Sequence, residues 1–251
     1  MNETRKITAA IIIIGDEILS GRTSDLNTGY IARHLGTIGI TLCQVRIIAD
    51  IGNEIVETVN ELRQNHDYLF TTGGIGPTHD DITADSIAAA FKVPIDIDPR
   101  ALEMMRQRYS EKDLQGDRLR MARIPHGSEL IENPISHTPG FMHENVIVMA
   151  GIPEIMQVML DAVTPELRKG IPYQTITVRV LTPESQIAAT LKEVQDRFLD
   201  LTLGSYPFFE NNELGSHLVM RSTDKTSLIE ASELLVFKLQ EIELDPRIVN
   251  P

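Results

Sequence analysis

Thr71-Thr72-Gly73-Gly74-Ile75-Gly76-Pro77-Thr78-His79-Asp80-Asp81-Ile82-Thr83 is the stretch on which the reading of this chain turns. It follows an apolar, strand-like run, Tyr68-Leu69-Phe70, and precedes an alanine-rich helical run, Ala84 to Phe91. Three glycines within four residues let backbone approach a ligand closely, because no Cβ intervenes and positive φ is open to them. Thr83 is placed to cap the helix that follows, whose first N–H groups then form an anion site. Asp80 and Asp81 stand in the same turn. A phosphate cradle beside two acids points to a metal-assisted phosphate site. An isolated glycine turn also serves as a plain strand-to-helix connection; the acids, Thr78 and Thr83 favour the functional reading. The second half of a GxGxxG is missing and no Gly-Lys-Ser/Thr follows, so neither a Rossmann nor a P-loop signature fits.

Working outward, Thr8 to Ile14 is an almost unbroken β-branched run, the pattern of a strand buried on both faces of a parallel sheet. Asn27 to Ile38 has helical spacing and is closed by Gly39; Ile40 to Ile48 alternates as a strand and ends at Ala49-Asp50. Ile55, Val59 and Leu62 mark the next helix, and Tyr68 to Thr72 the third strand. Asp98-Pro99 forms an N-cap and N1 pair for a helix expected to reach Lys112, with its charged stretch Arg106 to Asp113 on a solvated surface. Leu119 to Pro125 reads as its helical continuation. Val146 to Met149 is a further buried strand, followed by a helix carrying Ile155, Val158 and Met159. Alternating strands and helices give an α/β class, a three-layer α/β/α domain with a mainly parallel sheet over residues 1–170. After Gly170-Ile171-Pro172 the order becomes β-α-β-β-α, a small α+β domain over residues 171–251.

The 251 residues carry a net charge of −13, which argues against nucleic-acid backbones and anionic membranes as partners. A small anionic ligand then needs a local positive field. The one cysteine, Cys43, rules out an intrachain disulfide and is expected to be buried in its strand. Met1 to Lys6 is short and polar, unlike a signal peptide, and Ile11 to Ile14 is far too short to span a bilayer, so a cytoplasmic setting is expected.

Ligands of open parallel sheets collect beyond the carboxyl ends of the strands. Asp16 and Glu17 follow the first strand, Asp50 the second, Asp80 and Asp81 the third, and Glu154 the strand ending at Met149. Taken singly, each serves equally as a helix cap or a solvated loop acid. Together they mark one rim, and acids this dense repel phosphate unless a hard cation lies between. Asp81, Asp80, Asp16 and Glu17 are the candidate metal ligands, for Mg²⁺ or another divalent cation such as Mn²⁺ or Co²⁺. Gly15, Asn27, Gly73, Gly74, Gly76, Pro77, Thr78 and Thr83 are the candidate ligand contacts. Asn27 serves either as a contact or as a helix cap, and His79 is read as a surface histidine.

The central stretch resembles the signature of the molybdopterin-binding (MoaB/Mog-like) superfamily, in the Gly-Pro-Thr-x-Asp-Asp form of the CinA (competence/damage-inducible) family. Gly15 to Gly21, Asp25-Leu26-Asn27, Asp50, Asn133, Pro139-Gly140-Phe141 and Gly151-Ile152-Pro153 follow in the order seen in that family, covering roughly residues 7 to 222. The resemblance implies that Asp50 and Asp81 are the catalytic aspartates of metal-dependent chemistry at a phosphate, that molybdopterin is an alternative ligand, and that the chain self-associates as a homo-oligomer. The second domain resembles the KH-type middle domain of CinA without an RNA-gripping Gly-x-x-Gly loop. Ser136-His137-Thr138 departs from the family's Gly-Thr-Ala before Pro139-Gly140, and Ala150 from its Pro. The chain reaches Pro251 without the Ser-Cys-Thr-Gly-Gly-like motif of the family's C-terminal amidase domain, so that activity is not expected.

Three functions remain open: a metal-dependent hydrolase of a nucleotide pyrophosphate, with ADP-ribose the substrate the resemblance implies; a molybdopterin-binding or adenylylating protein of molybdenum cofactor assembly; and a non-enzymatic binding protein.

Overall fold

A computed structural model describes residues 6–249; Met1 to Arg5, most of the polar start, lie outside the described residues. The chain forms two compact units with the boundary between Gly170 and Ile171. The first runs β1 (Ile7–Ile14), α1 (Asp16–Leu19), α2 (Asn27–Thr37), β2 (Ile40–Ile48), α3 (Gly52–Asn65), β3 (Tyr68–Thr72), α4 (Thr83–Phe91), β4 (Ile95–Ile97) and α5 (Pro99–Arg106). It continues through β5 (Arg123–Pro125), β6 (Glu129–Ile131), β7 (Gly140–His143), β8 (Val146–Met149) and α6 (Pro153–Val163). The main sheet has the order β2-β1-β3-β8-β7-β6. Its first four strands are parallel, and β7 and β6 join antiparallel.

β1 shows why its sequence is apolar throughout. Ala10, Ile12 and Ile14 face one core with Ile55, Val59 and Leu62 of α3 and Ile87 of α4. Ile7, Ala9, Ile11 and Ile13 face the other, with Ile31 and Leu35 of α2 and Met156, Met159 and Leu160 of α6. Burying each such isoleucine contributes about 1.5–3 kcal/mol. The sheet is thus the middle of three layers, and the parallel strands β2, β1, β3 and β8 all end on one rim.

Two local expectations fail. The helix from Pro99 stops at Arg106, short of Lys112, because Ser110 donates its N–H and hydroxyl to Asp113 Oδ2 at 3.3 and 2.6 Å, a turn that competes with the helix ladder. The segment expected to prolong it is a 3₁₀ stretch, Gly116–Ala122, followed by β5 paired antiparallel with β4. Cys43 is exposed: β2 is an edge strand with one neighbour, and its outer face is incompletely covered.

The second unit is β9 (Gln174–Val180), α7 (Glu184–Arg197), β10 (Thr202–Glu210), β11 (Glu213–Ser222), α8 (Lys225–Glu241) and β12 (Arg247–Val249). Its antiparallel sheet, β10-β11-β9-β12, packs Val178, Val180, Leu218 and Met220 on Ile187, Val194, Leu228 and Leu235 of the two helices. β12 extends the expected β-α-β-β-α order by one short strand. Among the described residues, no helix is long and apolar enough to cross a membrane.

Gly73 and Gly36 give a contrasting pair of substitutions. Gly73 has φ +101°, and a Cβ there would stand 2.1 Å from the Ile14 carbonyl oxygen; Gly73→Ala should cost at least about 2 kcal/mol in urea unfolding. Gly36 lies in α2 with nothing within 4 Å of an added Cβ, so Gly36→Ala should add about 0.5 kcal/mol. Equal effects of the two changes would contradict this account of Gly73.

Candidate functional site

The four parallel strand ends surround a cavity of about 550 Å³, lined by Gly15 and Glu17 after β1, Asp50 after β2, Gly73 to Pro77 with Asp80 and Asp81 after β3, and Ala150 to Pro153 after β8. The far wall is Tyr109, Met121, Asn133, Ser136 and Thr138. The candidate residues Gly15, Glu17, Asp50, Gly73, Gly74, Gly76, Pro77, Asp80 and Asp81 therefore share one cavity.

The glycine run is held by its own chain. Gly73 donates to Met149 O at 3.2 Å, and its carbonyl accepts the Thr83 hydroxyl at 3.0 Å. Thr83 N–H donates to Gly74 O at 3.0 Å, and a Cβ on Gly74 would meet Thr83 Oγ1 at 2.2 Å. Thr83 is accordingly fully buried, α4 begins with it and carries no side-chain cap, and neither its hydroxyl nor its N–H is turned to a ligand. This corrects its assignment as cap and phosphate contact: packing of the loop on the helix start uses both groups. Thr78 likewise gives its N–H and hydroxyl to Asp81 Oδ2, at 2.8 and 2.5 Å, while Asp81 N–H returns to Thr78 O at 3.2 Å. Asp81 closes this turn, and Gly76 makes room for it, since a Cβ there would lie 2.6 Å from Asp81 Oδ2.

Asn27 is also corrected. It is buried behind the cavity wall and donates Nδ2–H to Gly151 O at 2.8 Å. Asp25 Oδ1 accepts the N–H groups of Asn27 and Thr28, at 2.9 and 3.1 Å, and so performs the capping. Asn27 braces the Gly151 turn, and Gly151 in turn packs on Gly73, with 3.3 Å between its would-be Cβ and Gly73 Cα. His79 has a side chain 97% exposed and lies outside the cavity lining.

Asp50 has the most distinctive environment. Burial raises its carboxyl above the usual value, and repulsion from Asp16, Glu17 and Asp80 adds to this, against the lowering effect of the Asp16 N–H, which donates to Oδ2 at 3.0 Å. Asp16 itself is exposed and does not line the cavity, because it opens α1 with its backbone turned to Asp50. Among the described residues no three His, Cys, Asp or Glu side chains come together to hold a metal ion. The set Asp81, Asp80, Asp16 and Glu17 is therefore no preformed cage.

Tyr109 and Met121 were not singled out by the sequence, whereas Ser136 and Thr138, in the tripeptide that departs from the family pattern, do line the cavity. Tyr109 sits in the charged stretch expected to be mere surface, and spacing alone carries no sign that the 107–122 segment folds back over the rim. His137, in the departing tripeptide, adopts φ +57°, and Asn133 holds that loop by accepting from Ile135 N–H at 3.1 Å and donating to Thr138 O at 2.9 Å.

Two outcomes follow from this electrostatic arrangement. A raised carboxyl contributes stability below its unfolded-state value and loses it as pH rises through the folded-state value. Asp50→Asn keeps an acceptor for Asp16 N–H, so it should raise Tm at pH 7–8, with the gain vanishing as pH falls through the carboxylate range; a variant less stable at every pH would contradict this. Calorimetric titration with Mn²⁺ alone should show no saturation below about 1 mM, and micromolar binding without nucleotide would show a cage the geometry lacks.

The family model described as a probable molybdopterin binding domain (MoCF_biosynth) matches residues 10–169, and that of the FAD synthase middle domain matches residues 172–247. A protein of Aeropyrum pernix is 32% identical over 245 residues, covering 93% of this chain and 91% of that protein. One of Archaeoglobus fulgidus is 34% identical over 197 residues, covering 78% and 84% respectively. The crystal structure of the protein CinA with unknown function from Thermoplasma acidophilum superposes with a TM-score of 0.60 at 32% identity, covering 63% of this chain and 96% of that one. The first unit thus has the MoaB/Mog-like α/β fold, and the whole is CinA-like with a second unit similar to the FAD synthase middle domain. The chain belongs to the MoCF_biosynth family of probable molybdopterin binding domains.

Proposed function

We propose that this protein hydrolyses a nucleotide pyrophosphate, such as ADP-ribose, at the rim of its first unit, with Asp50 as the catalytic base and Asp81 as a positioning residue. The observation that carries the reading is the placement of Asp50, a carboxyl raised by burial, in one cavity with the glycine run Gly73 to Gly76. A carboxylate raised in this way is better matched to accept a proton near neutral pH. Asp50 takes a proton from a water whose oxygen bonds to one phosphorus. The anhydride P–O bond breaks, and the bridging oxygen leaves with its electron pair on the second phosphate, which is protonated from solvent. Backbone of the glycine run lies alongside the phosphates, and Asp81 holds the Thr78 turn that shapes it. A divalent cation bound with the substrate, near Asp50, Asp80 and Glu17, would offset the charge of these acids against the phosphates.

A second reading is favoured by the family itself: a protein that binds molybdopterin or a related pterin through its phosphate, without cleaving an anhydride. Fold alone does not choose between the two. A panel of dinucleotide pyrophosphates with and without Mg²⁺, Mn²⁺ and Co²⁺ does. Turnover should need the cation, cease with EDTA, and fall by about 10²-fold or more in kcat for Asp50→Asn. Full kcat in Asp50→Asn would overturn the assignment of Asp50, and tight pterin binding with no cleavage of any anhydride would establish the second reading.

A further inference from the structure

The acids that line the main cavity, Glu17, Asp50, Asp80 and Asp81, follow the strand ends, whereas its far wall of Tyr109, Met121, Asn133, Ser136 and Thr138 carries no charged side chain. Asn133 has nothing left to offer a ligand. Its Oδ1 accepts the N–H groups of Ile135 and Ser136 at 3.1 and 3.2 Å, and its Nδ2 donates to Thr138 O at 2.9 Å and to Ser136 Oγ at 2.5 Å. Ser136 Oγ also accepts the Thr138 N–H at 3.3 Å. Both lone pairs of this hydroxyl are thus occupied, and what remains to it is its own hydrogen. Among the described residues no hydrogen bond takes that hydrogen, and Ser136 lines the cavity. The serine is committed to act as a donor. It stands where the family pattern has glycine, so the donor is an addition of this chain. Its loop is tied to the segment of Tyr109, because the Arg108 guanidinium donates to Ile135 O. Arg118 in turn lies over the Tyr109 ring at 4.7 Å.

We infer that the far wall holds a planar nitrogen heterocycle of the ligand, and that the Ser136 hydroxyl donates to an acceptor at the edge of that ring. Given the phosphate-binding reading above, on which this inference rests, a phosphate on the glycine run leaves the far wall to the uncharged end of the ligand. The cavity of about 550 Å³ has room for both ends of a mononucleotide-sized molecule. Tyr109 and Met121 remove ring surface from water, and the acids on the strand-end side have no charge there to repel. A donor enclosed without a partner costs affinity. Ser136 therefore selects rings that present a nitrogen or carbonyl acceptor at that edge over rings that present C–H or N–H.

Ligands without an anhydride test this by binding alone. AMP, its 1-, 3- and 7-deaza analogues and neopterin are titrated calorimetrically, with Mg²⁺ present, into wild type and Ser136→Ala. AMP should bind the variant about 3- to 10-fold more weakly than wild type. One deaza analogue should show the same loss in wild type and no further loss in the variant, because the contact is already gone. That pattern would assign the ring to a nucleobase and name the nitrogen that Ser136 meets. Neopterin weakened by Ser136→Ala, with AMP unaffected, would keep the heterocycle and assign it to a pterin. Removing Oγ also frees the donors on Asn133 and Thr138, and a disturbed loop would weaken AMP and all three analogues alike. Such a uniform loss overturns the inference, as does unchanged affinity for both AMP and neopterin. A wild type that binds neither below millimolar concentration overturns it as well. Nitrogen-specific loss without cleavage of any anhydride would keep Ser136 in this role and reject the hydrolase; cleavage without that loss would do the reverse.

Discussion

Gly73 is the point at which β1, β3 and β8 approach one another too closely for any side chain. Its N–H reaches Met149 O, its carbonyl takes the Thr83 hydroxyl, and an added Cβ would collide with Ile14 O. Gly151 lies against it and is itself braced by Asn27. This convergence fixes where the four parallel strands end and where the chain leaves them. A methyl group here would have to be accommodated by moving a strand of a close-packed sheet, which such interiors resist. The cavity, the position of Asp50 and the course of the Gly74 to Gly76 run all depend on that contact.

The same constraint gathers negative charge at the site. Strand ends in a parallel sheet deliver loop residues, and here these are Glu17, Asp50, Asp80 and Asp81. The segment between α5 and β5 comes from outside the parallel alternation, and it delivers Tyr109 and Met121 to the same cavity.

The parts of this arrangement legible in the sequence are those governed by local pattern. β3 and β8 begin and end where their apolar runs do, and the unbroken β1 run required two covered faces. Gly73 and its neighbours stood out because few conformations other than a close-packed turn call for three glycines there. Less legible was what each polar group does once the chain closes. Thr83 looked like a cap but is consumed by Gly73 O; Asn27 looked like a contact but supports Gly151. Asp16 looked like a ligand but lends its backbone to Asp50. In each case a partner distant in sequence decided the role. Tyr109 and Met121 were hidden for another reason: they lie in a segment whose helical pattern ends early, and its path over the rim follows from tertiary packing.

The central claim is that a pyrophosphate lies along Gly74 to Gly76, beside Asp50. A crystal structure with a methylene-bridged ADP analogue and Mn²⁺ tests it most directly, because the analogue resists cleavage and manganese is located by its anomalous signal. The account predicts two phosphates along the glycine run, and manganese between them and Asp50 only when the analogue is present. Phosphates seated elsewhere, or manganese held by the acids without the analogue, would contradict it.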